Sequence, residues 1–317
     1  MHTDHKDRVF PPLSRRSLLN YAGALGALAL SGRAGRAIAA DPAVLQRPIP
    51  STGTPIPVVG MGSWITFNVG GDEALRAQRM EVLKTFFAAG GVLVDSSPMY
   101  GTSEDVIGWC LSRLQEKPAL FSATKVWTIL QRLGVRQMQA SQRLWGVERF
   151  DLMQIHNMLD WETHLETLKT WKSEGRLRHI GITTSHGRRH GDFAKAMEKE
   201  PFDCVQFTYN IADREVEKRL LPLAAERRMA VIVNRPFQGG SLFDAVKGKP
   251  LPAWAGEFDC ANWAQFFLKF VVSHPAVTCA IPATSSVGHM RENMGAALGR
   301  LPDAEQRQRM IRYFETL

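Results

Sequence analysis

Four polar side chains have the types needed to pass a proton to a reacting oxygen: Asp95, Tyr100, Lys125 and His156. Each stands at or just after a short apolar run of the kind that forms a buried strand. An ordinary tyrosine has a pKa of about 10, and a neighbouring ammonium lowers that pKa because it favours the tyrosinate. An aspartate paired with the lysine offsets the cost of burying the ammonium. A histidine beside them orients a substrate oxygen through a hydrogen bond.

Each of these side chains also has an ordinary structural interpretation. Asp95 can cap a turn, Lys125 can be a solvated strand end, His156 a core histidine, and Tyr100 an amphipathic packing residue. The catalytic interpretation requires that successive strand ends meet at one place. The arrangement of the strands that carry the four side chains therefore determines which interpretation is correct.

Apolar runs alternate with segments of helical periodicity after about residue 41. Val82, Phe86 and Ala89 fall on one helical face, and Leu165, Leu168 and Trp171 fall on another face ahead of Gly175, a helix stop signal. The apolar runs number eight: 58–61, 92–94, 120–123, 152–155, 179–182, 204–207, 231–233 and 278–281. This pattern predicts an α/β fold of the (β/α)8 barrel (TIM barrel) type, with the site at the carboxyl ends of the strands.

A doubly wound dinucleotide-binding sheet is the competing architecture. It needs a glycine-rich turn after its first strand. Gly60 and Gly62 begin such a pattern, but Phe67 stands near the place of the third glycine. A dinucleotide bound by this chain therefore needs another scaffold.

The first forty residues resemble a twin-arginine signal peptide. Arg15 and Arg16 precede an apolar stretch over 18–30, and small residues at 37–40 suit signal cleavage. A disordered or anchored N-terminus is the alternative. We therefore predict a signal peptide over 1–40 and one barrel domain over 41–317, with export by the twin-arginine machinery to the periplasm and no stable membrane insertion after cleavage.

Charge and cysteine spacing narrow the function. The chain has a formal net charge of +8, half of which lies in residues 1–40. The Arg188, Arg189 and His190 cluster lacks the interleaved aromatics that stack nucleic-acid bases, so we expect no nucleic-acid binding. The four cysteines form no CxxC pair, and His186 with His190 lacks a third ligand, so we expect no metal site. The spacing leaves cysteine pairing open.

Five ordered segments resemble the aldo-keto reductase family. They are VDSSPMYGTSE over 94–104, ATKV over 123–126, QIHN over 154–157, IPAT over 281–284 and REN over 291–293. The resemblance implies an oxidoreductase in which Tyr100 is the general acid, Lys125 tunes it, Asp95 anchors Lys125, and His156 orients the substrate. It also implies NADP as cofactor, with NAD possible, and a small carbonyl compound as substrate.

The resemblance assigns a cofactor site to the later strands. Thr183 and Thr184 stand where the family has a Ser-Asn pair for the carboxamide, and Gln206 matches a family glutamine. Asn234 replaces an aromatic that stacks on the nicotinamide, and no ring can stack there. The predicted cofactor-binding residues are Gly62, Ser63, Trp64, Asp95, Thr183, Thr184, Gln206, Asn234, Arg235, Pro236, Phe237, Gln238, Gly239, Ile281, Ala283, Thr284, His289, Glu292 and Asn293.

Cofactor preference and substrate remain more open. Ala283 and His289 stand where NADP-specific members have two cations, so we expect a weakened preference for NADP that depends on pH through His289. Trp64, Tyr100, Trp127 and His156 are the predicted substrate contacts. A non-catalytic cofactor-binding sensor or partner subunit, and a cofactor-free isomerase or lyase, are the alternatives. The sequence does not decide the oligomeric state.

Overall fold

The computed structural model describes residues 43–317, so the predicted signal peptide lies outside the described residues. Eight parallel strands form one sheet in chain order: β3 (Met61–Gly62), β4 (Leu93–Asp95), β5 (Phe121–Val126), β6 (Phe150–Ile155), β7 (Leu177–Thr183), β8 (Cys204–Thr208), β9 (Ala230–Asn234) and β10 (Cys279–Ala280).

The sheet closes on itself. Parallel bridges join Val59 to Ala280 and Gly62 to Ala283, which pairs the first strand with the last. The closure needs a glycine, because a Cβ on Gly62 would lie 2.8 Å from the carbonyl oxygen of Ile281. The predicted (β/α)8 barrel is therefore confirmed, and all eight apolar runs correspond to its strands.

A hairpin precedes the barrel. Strands β1 (Gln46–Pro48) and β2 (Pro55–Pro57) pair antiparallel. Ile49 and Ile56 from this hairpin join the apolar cluster inside the barrel. Since that cluster contains the amino-terminal halves of the strands, the hairpin covers the end of the barrel opposite the predicted site.

Helices connect the strands on the outside. Their bounds are α1 (Glu73–Ala88), α2 (Ser103–Leu111), α3 (Gln131–Trp145), α4 (Trp161–Ser173), α5 (His190–Lys199), α6 (Leu220–Glu226), α7 (Ser241–Ala245), α8 (Trp263–Val272), α9 (Val287–Gly295) and α10 (Ala304–Phe314), with short 3-10 helices at Pro98–Tyr100, His156–Met158, Glu215–Lys218, Gln238–Gly240 and Ala253–Phe258.

The predicted helical faces pack as expected, except that α1 ends at Ala88 and Ala89 is its C-terminal cap. Val82 and Phe86 of α1 are buried, as are Leu165, Leu168 and Trp171 of α4, which ends just before Gly175 at φ +74°. His186 and His190 do not share a helix, because His186 adopts φ +59° and α5 begins only at His190. No described helix combines the length and apolar character that crossing a bilayer requires.

Strand alternation separates two cores. Side chains at alternate positions point into the barrel, and the others pack beneath the helices. Inside, the lower level is apolar and includes Leu93, Leu152, Cys204 and Ile232. Two residues further along each strand, the inward positions turn polar. The barrel interior thus has one polar level, formed by Asp95, Gln154 and Gln206, directly above the apolar side chains.

Candidate active site

A cavity of about 400 Å³ opens at the carboxyl ends of the strands. Of the predicted site residues, fifteen line it: Gly62, Ser63, Trp64, Asp95, Tyr100, His156, Thr183, Gln206, Asn234, Arg235, Pro236, Phe237, Gly239, Ile281 and Ala283. Residues from the first strand and the last therefore meet in one concave site, as convergence at a barrel rim requires.

Lys125 lies in the barrel interior at the level of Asp95. Its side chain is fully buried, and its Nζ donates to Asp95 Oδ2 at 2.5 Å and to the Ser96 carbonyl oxygen at 2.8 Å. The Asp95 carboxylate and the Tyr100 oxygen favour the ammonium, so the pKa of Lys125 is raised although burial alone lowers it. The predicted anchoring of Lys125 by Asp95 thus has the expected geometry.

Tyr100 stands close to this pair. Lys125 Nζ lies 5.1 Å from the centroid of the Tyr100 ring, and the ring meets His156 edge-on at 5.6 Å between centroids. Burial raises the pKa of Tyr100, whereas the Lys125 ammonium lowers it by a smaller amount. The sequence-based expectation of a lowered pKa is therefore wrong for the net value, because desolvation outweighs the charge of Lys125.

His156 is held as a neutral ring. Burial first and the Lys125 charge second lower the pKa of His156 to about 2. Its Nδ1 lies 2.8 Å from Ser97 Oγ, which also accepts from the Met99 backbone N–H at 3.2 Å. The Ser97 hydroxyl proton is then free to donate to Nδ1. With Ser97 as the donor to Nδ1, the imidazole carries its proton on Nε2, where it can donate to a substrate oxygen.

Gln154 connects the Lys125–Asp95 ion pair to Gln206, which belongs to the predicted cofactor site. This role was not predicted from the sequence. Its Nε2 donates to Asp95 Oδ1 at 2.9 Å, and its Oε1 accepts from Gln206 Nε2 at 3.2 Å. Gln206 Nε2 also lies 3.1 Å from Asp95 Oδ1. The two-residue spacing of Gln154 and His156 was the available signal, since residues i and i+2 of a strand face the same side.

Asn234 extends this network across three strands. Its Nδ2 donates to the Thr184 carbonyl oxygen at 2.9 Å and lies 3.4 Å from Gln206 Oε1. Its Oδ1 accepts from Thr208 Oγ1 at 2.7 Å. Asn234, which replaces the family's aromatic residue, therefore connects the carboxyl ends of β7, β8 and β9 by hydrogen bonds.

Some residues of the VDSSPMYGTSE segment stabilise the structure and do not take part in the reaction. Ser103 Oγ donates to the Tyr100 carbonyl oxygen at 2.8 Å and holds the turn that presents the tyrosine. Glu104 lies outside the barrel and accepts from Thr124 at 2.6 Å, Ser141 at 2.8 Å and the Trp145 indole at 3.2 Å. The segment thus combines two site residues with the contacts that fix α2 against β5 and α3.

Several predicted residues lie away from the cavity lining. The Thr184 hydroxyl donates to the Arg188 carbonyl oxygen at 2.6 Å. Trp127 is 41% exposed, and its backbone N–H donates to Gln137. Gln238, Thr284, His289, Glu292 and Asn293 also lie outside the lining, the last four on β10's loop and α9. For these residues the predicted contacts stay predictions.

Residues on the rim complete the cavity and were not among the predicted site residues. They are Ile65, Thr66, Met99, Asn157, Ser185, His186, Gly240, Phe243 and Pro282. Ile65 is 64% exposed and adopts φ +63°, which is strained for a β-branched side chain. Backbone strain and exposure of this kind have no sequence signature.

The lining suits a nicotinamide dinucleotide. Thr183 Oγ1 accepts from the Asn157 N–H at 2.9 Å and keeps its own proton for an acceptor, and Gln206 offers an amide beside it. Arg235 supplies a cation at the same cavity. No group of three metal-ligating side chains was found in residues 43–317. The polar groups present therefore match a carboxamide and an anionic cofactor.

Comparisons with known proteins decide the family. The profile of the Aldo/keto reductase family matches residues 58–309. The chain belongs to the aldo/keto reductase family. This membership makes NAD(P)H-dependent reduction of a carbonyl group its reaction class and makes the chain an NAD(P)-dependent oxidoreductase, as the sequence predicts.

Three similar proteins share between 21% and 29% of aligned residues with this aldo/keto reductase. An uncharacterized oxidoreductase of Schizosaccharomyces pombe is 29% identical over 51% of this chain, which spans about half (52%) of that relative. The NADH-specific methylglyoxal reductase of Escherichia coli is 25% identical over 66% of this chain and 72% of that protein. An aldo-keto reductase from Klebsiella pneumoniae in complex with NADPH has the same fold, with a TM-score of 0.70, 21% identity, and coverage of 86% of this chain and 95% of that structure.

Proposed function

We propose that this aldo/keto reductase reduces a small aldehyde or ketone held between Tyr100 and His156, with Tyr100 as the general acid. The observation that carries the proposal is the buried Lys125–Asp95 pair, which sets an ammonium 5.1 Å from the Tyr100 ring.

When bound in this cavity, NAD(P)H would supply the hydride that reduces the carbonyl carbon. As negative charge develops on the carbonyl oxygen, the Tyr100 hydroxyl donates its proton to that oxygen, and the product is an alcohol. The Lys125 ammonium stabilises the tyrosinate that remains. His156 Nε2 donates a hydrogen bond to the same oxygen and orients it. Alcohol oxidation follows the reverse path with the same residues.

For the cofactor, we infer a preference for NADP(H) that is weaker than the family norm. Ala283 lines the cavity without a charge, and His289 and Arg291 are exposed on α9. Ser286 caps that helix, since its side chain accepts from the His289 N–H, and the helix N-terminus favours a phosphate. Fluorescence titration with NADPH and NADH at pH 6 to 8 tests this, and equal or tighter NADH binding contradicts it.

The reaction itself is tested by turnover. We expect the mature protein to oxidise NADPH when a panel of aldehydes and ketones is supplied, methylglyoxal among them, because a relative is named for that substrate. A cofactor that binds tightly while no carbonyl on the panel is reduced would favour the non-catalytic alternative. Mass spectrometry of any co-purifying cofactor gives independent evidence.

We also propose export to the periplasm by the twin-arginine route. The support is the order of the paired arginines, apolar stretch and small residues in the first forty positions. A folded, cofactor-loaded barrel needs a route that accepts folded cargo. Changing Arg15 and Arg16 to Lys should leave precursor in the cytoplasm, and unchanged periplasmic appearance contradicts the proposal.

A further inference from the structure

One side of the cavity mouth exposes an apolar surface. Among residues 43–317, nine large hydrophobic side chains are exposed, and seven of them lie in the loops after β3, β4 and β5 or in the first turn of α3. These seven side chains form the apolar strip: Trp64, Ile65, Met99, Trp127, Ile129, Leu130 and Leu133. The three loops lie side by side, because β3, β4 and β5 are neighbours in the sheet. An exposed apolar patch of this kind marks an interaction site.

The segments that carry the apolar strip are nearly free of charge. Residues 63–71, 96–103 and 127–133 contain a single charged side chain, Arg132, although 22% of the whole chain is charged. The loops on the other side of the mouth, 184–190, 209–219 and 235–241, contain nine charged side chains. The mouth is therefore apolar on one side and charged on the other.

The two most exposed side chains of the strip have strained backbones. Ile65 is 64% exposed at φ +63°, and Leu130 is 59% exposed at φ +69°. This left-handed region costs free energy for residues other than glycine. The Leu130 N–H donates to Asp160 Oδ2 at 2.7 Å, which stabilises the strained conformation. The surrounding contacts thus maintain a backbone that leaves an apolar side chain in solvent.

The polar groups of the strip suit a membrane surface. Neither Trp64 nor Trp127 donates its indole N–H to an acceptor within residues 43–317, and both rings are exposed. Tryptophan is favoured at the boundary between lipid and water because its ring is apolar and its N–H is polar. Arg132 and Arg136 are exposed on α3 beside Leu133 and form no ion pair in the described part of the chain. Arginines in such a position reach anionic headgroups.

We propose that the apolar strip docks this protein reversibly on the surface of a bilayer that contains anionic lipids. Apolar side chains from three loops enter the boundary between headgroups and acyl chains, while Arg132 and Arg136 contact lipid phosphates. The charged side of the mouth stays in water. A second copy of the chain needs a surface of matching shape, whereas fluid lipids adapt to the uneven ends of three separate loops.

The test measures vesicle binding by flotation, with vesicles of phosphatidylcholine alone or mixed with phosphatidylglycerol. Residues 41–317 are used, because they contain the whole barrel and leave out the apolar stretch of the predicted signal peptide, which would itself bind lipid. The double variant Ile129→Ser with Leu133→Ser removes two side chains that do not line the cavity. Leu144→Ser is the matched control: Leu144 is 43% exposed and Leu133 41%, at opposite ends of the same helix.

We expect the double variant to bind vesicles about 10- to 100-fold more weakly than the wild type, because two apolar side chains no longer enter the lipid. Leu144→Ser should stay within about twofold of the wild type. Arg132→Ser with Arg136→Ser should weaken binding to the anionic vesicles by about 5- to 30-fold and change binding to phosphatidylcholine little. Added salt should reduce that difference, since it screens the charges.

A fluorescence measurement locates the contact. Lipids brominated near the headgroup should quench the wild-type tryptophan fluorescence, and Trp127→Phe should show less quenching while it keeps an aromatic ring. Circular dichroism and thermal unfolding check that all variants fold. Turnover of a short soluble aldehyde by the double variant should match that of the wild type, because neither substituted residue lines the cavity.

Each other outcome overturns the proposal. A dimer that the double variant abolishes, with no vesicle binding, assigns the strip to a second copy of the chain. A monomer that binds no vesicles, and whose double variant has a raised KM for decanal but not for propanal, assigns the strip to the tail of a substrate. An equal loss of vesicle binding in Leu144→Ser shows that no particular face is used. Vesicle binding does not depend on the reaction, so the proposed function is tested separately.

Discussion

The interior beneath the cavity and the loops around its mouth are built differently. In the interior, Asp95, Lys125, Gln154 and Gln206 are almost fully buried on regular strands, and hydrogen bonds connect all four. At the mouth, Ile65, His186, Arg235 and Gln238 adopt positive φ, and Trp64 is 43% exposed. Preorganised groups on rigid strands suit proton transfer, whereas loops outside the sheet carry the residues that recognise ligands.

Most non-glycine residues with positive φ lie in loops that follow barrel strands at this mouth. Backbone strain persists only where surrounding contacts overdetermine it, and it concentrates at functional sites. The contrast predicts that interior substitutions change chemistry and stability sharply, while mouth substitutions change binding by smaller factors.

The largest effect is expected at the centre of the interior. Tyr100→Phe should lower kcat by about 100- to 10,000-fold, because the proton donor to the developing alkoxide is lost. The dissociation constant for NADPH should stay near the wild-type value, since the phenol hydroxyl is not a predicted cofactor contact. Steady-state kinetics and fluorescence titration measure the two quantities. Near wild-type turnover would show that another group is the acid.

Breaking the buried ion pair should reduce both activity and stability. Lys125→Met leaves the Asp95 carboxylate buried without its partner, which costs about 3–5 kcal/mol of unfolding free energy. The double variant Lys125→Met with Asp95→Asn removes both charges and should recover most of that stability while turnover stays lost. Urea unfolding followed by kinetics separates the effects. A double variant no more stable than the single one argues against this electrostatic account.

The pH profile tests the two shifted pKa values. His156 stays neutral above its pKa of about 2, and the pKa of Tyr100 is raised, so the acid keeps its proton through neutral pH. We expect kcat/KM for carbonyl reduction, at saturating NADPH, to be flat from about pH 5 to 9 and to fall only as Tyr100 deprotonates at higher pH. A change in kcat/KM near pH 6.5 would instead show that His156 titrates with the ordinary pKa of a histidine.

The smallest effects distinguish two tryptophans at the mouth. Trp64 lines the cavity, whereas Trp127 does not. Trp64→Ala should raise KM for an aromatic aldehyde by about two- to tenfold, which corresponds to the loss of one aromatic contact. Trp127→Ala should change KM by less than about twofold, as for an exposed surface residue. If the two substitutions raise KM equally, Trp127 contacts the substrate as the sequence predicts.

Local sequence patterns determined the barrel and most of the interior. Apolar runs of strand length alternate with helical periodicities, and polar residues at the inward positions near the end of each run then face the same rim. Asp95, Tyr100, Lys125 and His156 were therefore predictable from their positions relative to the strands. The resemblance to the aldo-keto reductases added their roles.

Only the tertiary structure decided the properties that depend on distant neighbours. Burial overrides the Lys125 charge at Tyr100, and the Thr184 hydroxyl donates to the Arg188 carbonyl oxygen rather than facing the cavity. Hydrogen-bond partners come from strands that are far apart in sequence, and desolvation sums over all surrounding atoms. Sequence periodicity fixes the direction of a side chain, but its charge state depends on what closes around it.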